Sequence, residues 1–273
     1  MRQRTKPKRR PPLPVRRALL GALAALVLAA PAKAARTVPV QIDGIHLESA
    51  CHLDSGVTYV PLRALLNALG GWEVSWDSDL RAAVAISGGS RLTADPAANT
   101  VTVDGQSRSG SVYVQEGVTY VPLRAVVELL GGSVEWDRYL QGAAVTSPDA
   151  HHNAVDFYWL SRIISAESRG ESLLGQMAVG NVILNRRASG KFPDTIRGVI
   201  FDRKDAVQFE PVANGTIYDE PTEQSVLAAR LVLGGASVVG GCMYFFNPSL
   251  SKGQWIRNNC TYYTSIGCHR FYQ

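Results

Sequence analysis

Cysteine is scarce, with four among 273 residues, and no two of them form a Cys-x-x-Cys pair. That argues against a zinc ribbon or a dithiol redox motif. No basic stripe with interleaved aromatics follows residue 34, so a nucleic-acid partner is not expected. The one long apolar run, ALLGALAALVLAA at residues 18–30, falls short of the roughly 20 residues that span a bilayer. Carboxylates are absent from residues 1–34, whereas residues 1–17 alone hold eight Lys and Arg.

A basic stretch, a short apolar run and Ala32-Lys33-Ala34 together read as a secretory signal over residues 1–34, cleaved rather than kept as an anchor. Nine of the 28 Lys and Arg lie there, leaving 19 against 23 Asp and Glu, a net of about −4. The basic pI of about 9.1 thus belongs to the signal.

The remaining residues, about 240, suit two modest domains. A repeat marks the first. Gly56-Val57-Thr58-Tyr59-Val60-Pro61-Leu62-Arg63-Ala64 returns unchanged as Gly117 to Ala125, and 12 of the first 16 positions agree. Each copy runs through an apolar stretch to Gly-Gly (70–71 and 131–132) and on to VSWD or VEWD, ending at Asp77 or Asp137. The expected unit is strand, helix, glycine turn, strand, with proline closing the first strand. Trp76 and Trp136 are expected as buried anchors, with sugar-stacking platforms as the alternative. Thr146 to His152 reads as a solvated linker, because neighbouring histidines on a helix point about 100° apart and make a poor metal pair.

This repeat, over residues 36–147, resembles the copper amine oxidase N-terminal-like domain, through its TYVPLR and VEWD words in both copies. The resemblance implies a small α+β module common in secreted and wall-associated proteins, with a targeting role and no copper. His52 alone cannot build a metal site.

In the second half, Phe157 to Ser168 reads as a helix whose Leu160, Ile163 and Ile164 form an apolar stripe. Glu167 lies i+4 from Ile163, i+3 from Ile164 and i+7 from Leu160, hence on that stripe. Desolvation there raises a carboxyl pKa, as a general acid requires. The competing reading is a structural Glu paired with Arg162, Arg169 or Arg186. Glu171 to Arg187 reads as a second helix, apolar over a wide arc, with Glu171 as a first-turn acid.

Residues 155–272 resemble the catalytic domain of the spore cortex-lytic cell-wall hydrolases, the germination-specific lytic transglycosylase family. The words that carry it are AESRGES with GQMAVGNVILNRR, then FPDTIRGVI, QFEPVANGTI, MYFFNPS, QWIRN and IGCHRFY. The resemblance implies a lysozyme-like, mainly helical catalytic domain over 154–273, and with the earlier readings the expected chain is α+β overall: residues 1–34 signal, 36–147 repeat domain and 148–153 linker before that domain. The resemblance makes Glu167 the catalytic acid/base, with Arg169 and Glu171 in support.

A glycan cleft needs aromatic platforms and polar tips, and the candidates are Gln208, Phe209, Tyr244, Phe246, Asn247, Trp255 and His269. Of the neighbours Phe245 and Phe246, one is expected inward and the other outward. No second carboxylate is evident, which favours a transglycosylase over a two-carboxylate hydrolase. The expected activity is cleavage between N-acetylmuramic acid and N-acetylglucosamine, without cofactor, outside the cell in wall, spore cortex or coat. Peptidoglycan strands are the partner, and an accessory spore or wall protein is left open. The alternatives are a non-catalytic wall- or spore-binding protein and a hydrolytic muramidase.

The four cysteines are expected to form one or two disulfides, at most one among Cys242, Cys260 and Cys268, with Cys51 alone in its domain. Zinc on Cys242, Cys260, Cys268 and His269 is disfavoured by the spacing. A thiol nucleophile at Cys268 is disfavoured because its neighbour His269 is poorly placed as base.

Overall fold

Pro61 and Pro122 each end a strand and open a helix, as the repeated word predicts. The computed structural model describes residues 35–204 and 207–273, so the expected signal lies outside the described residues. Strand Val57–Pro61 leads into helix α1 (Leu62–Leu69), then to strands Glu73–Asp77 and Ala82–Ser87. Strand Val118–Pro122 leads likewise into α2 (Leu123–Leu129), then to Ser133–Asp137 and Gly142–Thr146. The two opening strands pair antiparallel, with Val60 opposite Val121, so a local two-fold relates the copies.

Each copy buries a side of its helix against shared strands. Leu62, Leu65 and Leu66 on α1 and Leu123, Val126 and Val127 on α2 lie in one apolar core. Fully burying each such side chain stabilises by about 1.5–3 kcal/mol. The strand after α2 does not stop at its own domain. Gly142–Thr146 pairs in parallel with Val40–Ile42, and its Ala144 joins the core of the second domain, with Tyr139 and Leu140 packed on it.

That second domain is built on three helices: α3 (Ala154–Ser168), α4 (Leu173–Ala188) and, after the short α5 (Ile196–Ile200) and α6 (Glu210–Asn214), α7 (Glu223–Leu233). Asn153 caps α3 by accepting from Val155 N and Asp156 N, and Ser172 caps α4 by accepting from Gly175 N. α3 is buried on nearly every side from Ala154 to Ser165, more like a core rod than an amphipathic helix. Gly180 on α4 lets the helices close: a Cβ there would sit 2.9 Å from Ile164 Cδ1 and 3.0 Å from Val232 Cγ2. A small sheet finishes the chain, Tyr244–Phe246 and Tyr262–Ile266 flanking His269–Tyr272, with α8 (Gln254–Asn259) beside it. The chain is α+β, as expected.

The seam between the halves is specific. Asp137, 1% exposed, accepts from Trp159 Nε1 at 2.6 Å through one oxygen and from Tyr139 N and Leu140 N through the other. Arg162 is buried on α3, stacks 3.7 Å over the Tyr158 ring and reaches Glu220 at 2.6 Å. The Tyr158 hydroxyl lies 3.1 Å from His46 Nε2 in the first domain. The linker itself is short and tied at both ends, Ser147 N donating to Asp43 and Ala154 N to Thr146 Oγ1.

Two expectations fail here. Trp76 and Trp136 are not buried anchors: they are 47% and 38% exposed. All four cysteines are free; Cys51 and Cys242 are buried, and burial pushes both thiols up to about 11. Among the described residues no helix is long and apolar enough to cross a membrane.

Candidate active site

Glu167 sits in the last turn of α3, half-buried where the rod comes to its end. Among the described residues no hydrogen bond or ion pair holds its carboxylate. The three arginines weighed as partners are engaged elsewhere: Arg162 with Glu220, Arg169 with Asp219 at 3.9 Å, and Arg186 with the Met243 carbonyl, to which its Nε donates at 2.7 Å. Burial raises the Glu167 pKa to about 7; the Glu210 carboxylate pushes the same way, and the Arg186 guanidinium opposes it. At neutral pH the acid form of Glu167 is thus accessible, whereas an ordinary Glu is ionised.

Arg186 projects from the last turn of α4 and is 6% exposed. Its guanidinium lies 4.8 Å from the Phe192 ring, 5.3 Å from Phe209 and 5.5 Å from Tyr244. Its Nη1 is buried without a hydrogen-bond partner, and burial lowers its pKa to about 10. α4 also pins the segment that delivers Tyr244. Asn181 bonds Ala236 O and Val238 N, and Asn185 donates to Gly240 O and Cys242 O. These amides, one turn apart, explain the polar residues of GNVILNRR.

Glu171 is not a first-turn helix acid. It precedes the Ser172 cap and reaches across to the closing hairpin, accepting from Cys268 N at 3.2 and 3.3 Å and lying 3.6 Å from His269 Nδ1. Gly267 has φ +57°, and a Cβ there would collide with the Glu171 carboxylate. The turn after α3 is laced further by buried Gln176, which donates to Glu171 O at 3.1 Å and accepts from Ser225 Oγ at 2.8 Å. Arg169 is exposed.

The expected glycan contacts divide. Tyr244 is half-buried, 5.6 Å from the ring of Trp255, which is 60% exposed. Together they offer aromatic surface beside Arg186. Phe209, Phe246 and His269 do not fit that role. Phe209 is 3% exposed and belongs to the core, Phe246 stacks on Tyr272, and His269 packs edge-on to Phe245. Phe246 is buried and Phe245 packs against the apolar clusters, so neither points out to solvent. Asn247 shapes a turn, accepting from Ser249 N at 2.9 Å. Gln208 is half-buried just before Phe209.

Sequence reasoning missed Glu210, the first residue of α6. Its signal was present in the QFEPVANG word, but nothing local brings it toward Glu167. Arg186 entered that reasoning only as a structural partner; its aromatic surround shows only in three dimensions.

Residues 170–272 match the family described as Cell Wall Hydrolase, and residues 41–145 the one described as Copper amine oxidase N-terminal domain. The first match begins just beyond Glu167. The spore cortex-lytic enzyme of Bacillus cereus is 36% identical over 126 residues, covering 46% of this chain and 47% of that one. The spore cortex-lytic enzyme of Halalkalibacterium halodurans is 39% identical over 111 residues, covering 41% of this chain and 33% of that one. A solved structure, the catalytic domain of the germination-specific lytic transglycosylase SleB from Bacillus anthracis, is 36% identical; the match covers 45% of this chain and 98% of that one, with a TM-score of 0.41. The chain thus spans less than half the length of these two curated relatives.

Proposed function

We propose that this chain, with a cell wall hydrolase domain behind a copper amine oxidase N-terminal domain, cleaves peptidoglycan glycan strands between N-acetylmuramic acid and N-acetylglucosamine. Glu167 is the acid/base. The observation that carries this is the half-buried, unpaired Glu167 carboxyl, raised to about 7. A protonated Glu167 donates to the glycosidic oxygen as the bond to muramic acid C1 breaks. The resulting carboxylate then takes the proton of the C6 hydroxyl as that oxygen closes on C1, leaving a 1,6-anhydro end and a free glucosamine hydroxyl. The nearby Arg186 charge holds the pKa below what burial and Glu210 would impose, and so eases the return to carboxylate. Tyr244 and Trp255 supply the sugar-facing surface, with Gln208 and Asn247 as polar contacts.

Spore cortex, acted on during germination outside the cell, is the substrate suggested by the names of the relatives. Signal 1–34, repeat domain 36–147, linker 148–153 and catalytic domain 154–273 remain the proposed organisation, with the repeat domain serving wall association. Glu210 favours a second reading, hydrolysis by a muramidase, because a carboxylate close enough to raise Glu167 is a candidate base for water. Mass spectrometry of products from purified peptidoglycan separates the two: anhydro ends support transglycosylation, reducing ends hydrolysis. Glu167→Gln should abolish both. Glycan cutting by that variant would falsify the assignment.

A further inference from the structure

The local two-fold creates two grooves in the first domain, each formed where the helix of one copy faces the hairpin of the other. One, of about 600 Å³, is lined by Arg63 and Asn67 of α1, by Trp76, and by Val114 and Val118 from the second copy. Its counterpart, of about 530 Å³, presents Arg124, Glu128, Trp136 and Val57 at the matching places.

The copies have diverged at the residue that sets the charge. In the second groove Glu128 holds Arg124 at 3.3 Å and Arg108 at 3.7 Å, and Arg36 lies 5.8 Å over the Trp136 ring. The first groove has Asn67 where Glu128 stands. Among the described residues Arg63 makes no ion pair, and the Trp76 indole is the more exposed of the two. A free cation, a planar amide and an open indole thus face one groove, while next door the cation is paired with Glu128 and the indole, though still exposed, has Arg36 over its ring.

We propose that the first groove binds a glycan of N-acylated amino sugars that carries carboxylates: Trp76 stacks on a pyranose face, Asn67 bonds an acetamido group, and Arg63 pairs with the carboxylate. That the polymer is peptidoglycan rests on the reading of Glu167 above. The groove chemistry asks only for an acidic, acetylated sugar strand.

The test uses the full chain carrying Glu167→Gln, so that binding is read without cutting, in co-sedimentation with insoluble peptidoglycan and with chitin, its uncharged counterpart. Adding Trp76→Ala is expected to weaken retention on both polymers about tenfold, the scale of one aromatic contact. Arg63→Gln is expected to weaken peptidoglycan binding several-fold while sparing chitin, whereas Asn67→Glu, which copies the second groove, is expected to weaken both, because the acetamido contact is common to the two polymers. Trp136→Ala is expected to change neither. Because all four positions are exposed, unchanged melting temperatures identify folded variants. Full retention by Trp76→Ala, or equal loss from Trp136→Ala, overturns the groove; equal loss on chitin from Arg63→Gln overturns the carboxylate contact. Should the native chain fail to cut peptidoglycan while Trp76 still governs retention, the catalytic reading falls and the groove stands.

Discussion

Asp77 and Asp137 occupy the same place in two copies of one motif, so replacing each with alanine isolates what the seam adds. Both close the same turn: Asp77 accepts from Asp79 N and Leu80 N, and Asp137 from Tyr139 N and Leu140 N. Asp77 is otherwise solvated, with Arg91 at 3.9 Å. Losing its turn bonds in water should cost about 1 kcal/mol. Asp137 also receives the Trp159 indole N–H at 2.6 Å and lies 3.5 Å from Arg197. Its removal strands a fully buried donor, worth about 1–3 kcal/mol, and strips a negative charge from beside a half-buried guanidinium. Asp137→Ala should therefore cost about 2–4 kcal/mol more than Asp77→Ala. At about 2–4 °C per kcal/mol for a domain of this size, the melting temperatures separate by roughly 5–15 °C. Calorimetry measures both. Equal melting temperatures would refute the claim that the second copy is bolted into the core of the C-terminal domain.

Two further outcomes concern Glu167. Its acid form does the first step, so the rate should fall as pH rises through about 7; Glu210→Gln removes a charge that raises this pKa and should move that limb to lower pH in a pH–rate profile, whereas an upward shift or none refutes the coupling. Stability follows the same sign: a group whose pKa goes from 4.5 unfolded to about 7 folded adds stability fully below the unfolded value and loses it as pH rises through the folded one. Glu167→Gln should thus gain on the native chain between pH 5 and 8, by at most about 3 kcal/mol in urea melts, and a flat difference across that range would count against the raised pKa.

Much of the repeat was legible because its signals are local. Proline fixes the strand-to-helix step, and paired glycines allow the turn, whatever surrounds them. The fate of Trp76 and Trp136 was not legible: a strand's sequence does not say whether the other copy will cover its outer face. Glu167 was found for a reason that proved incomplete. α3 is buried nearly all round, so lying on an apolar stripe does not distinguish one position; what does is that Glu167 is the lone carboxylate in the last turns of a buried helix. Phe246 and His269 were misplaced because aromatic or polar identity is blind to which face of a sheet is roofed, and Phe209 because nothing local says that the residue capping α6 turns into the core. Glu210 escaped because its effect on Glu167 is made entirely by tertiary approach.

The contacts of Asp137, Ala144 and Tyr158 across the seam bear on how this protein can be taken apart. A cut in the linker would leave the C-terminal half with an orphaned indole N–H on Trp159 and with bare apolar surface where Tyr139 and Leu140 packed. The C-terminal half of this chain is therefore not a cassette to be excised and moved to another carrier. Its front partner doubles as a wall of its own interior, so whatever the first domain holds is presented from a surface that shares packing with the helix bearing Glu167.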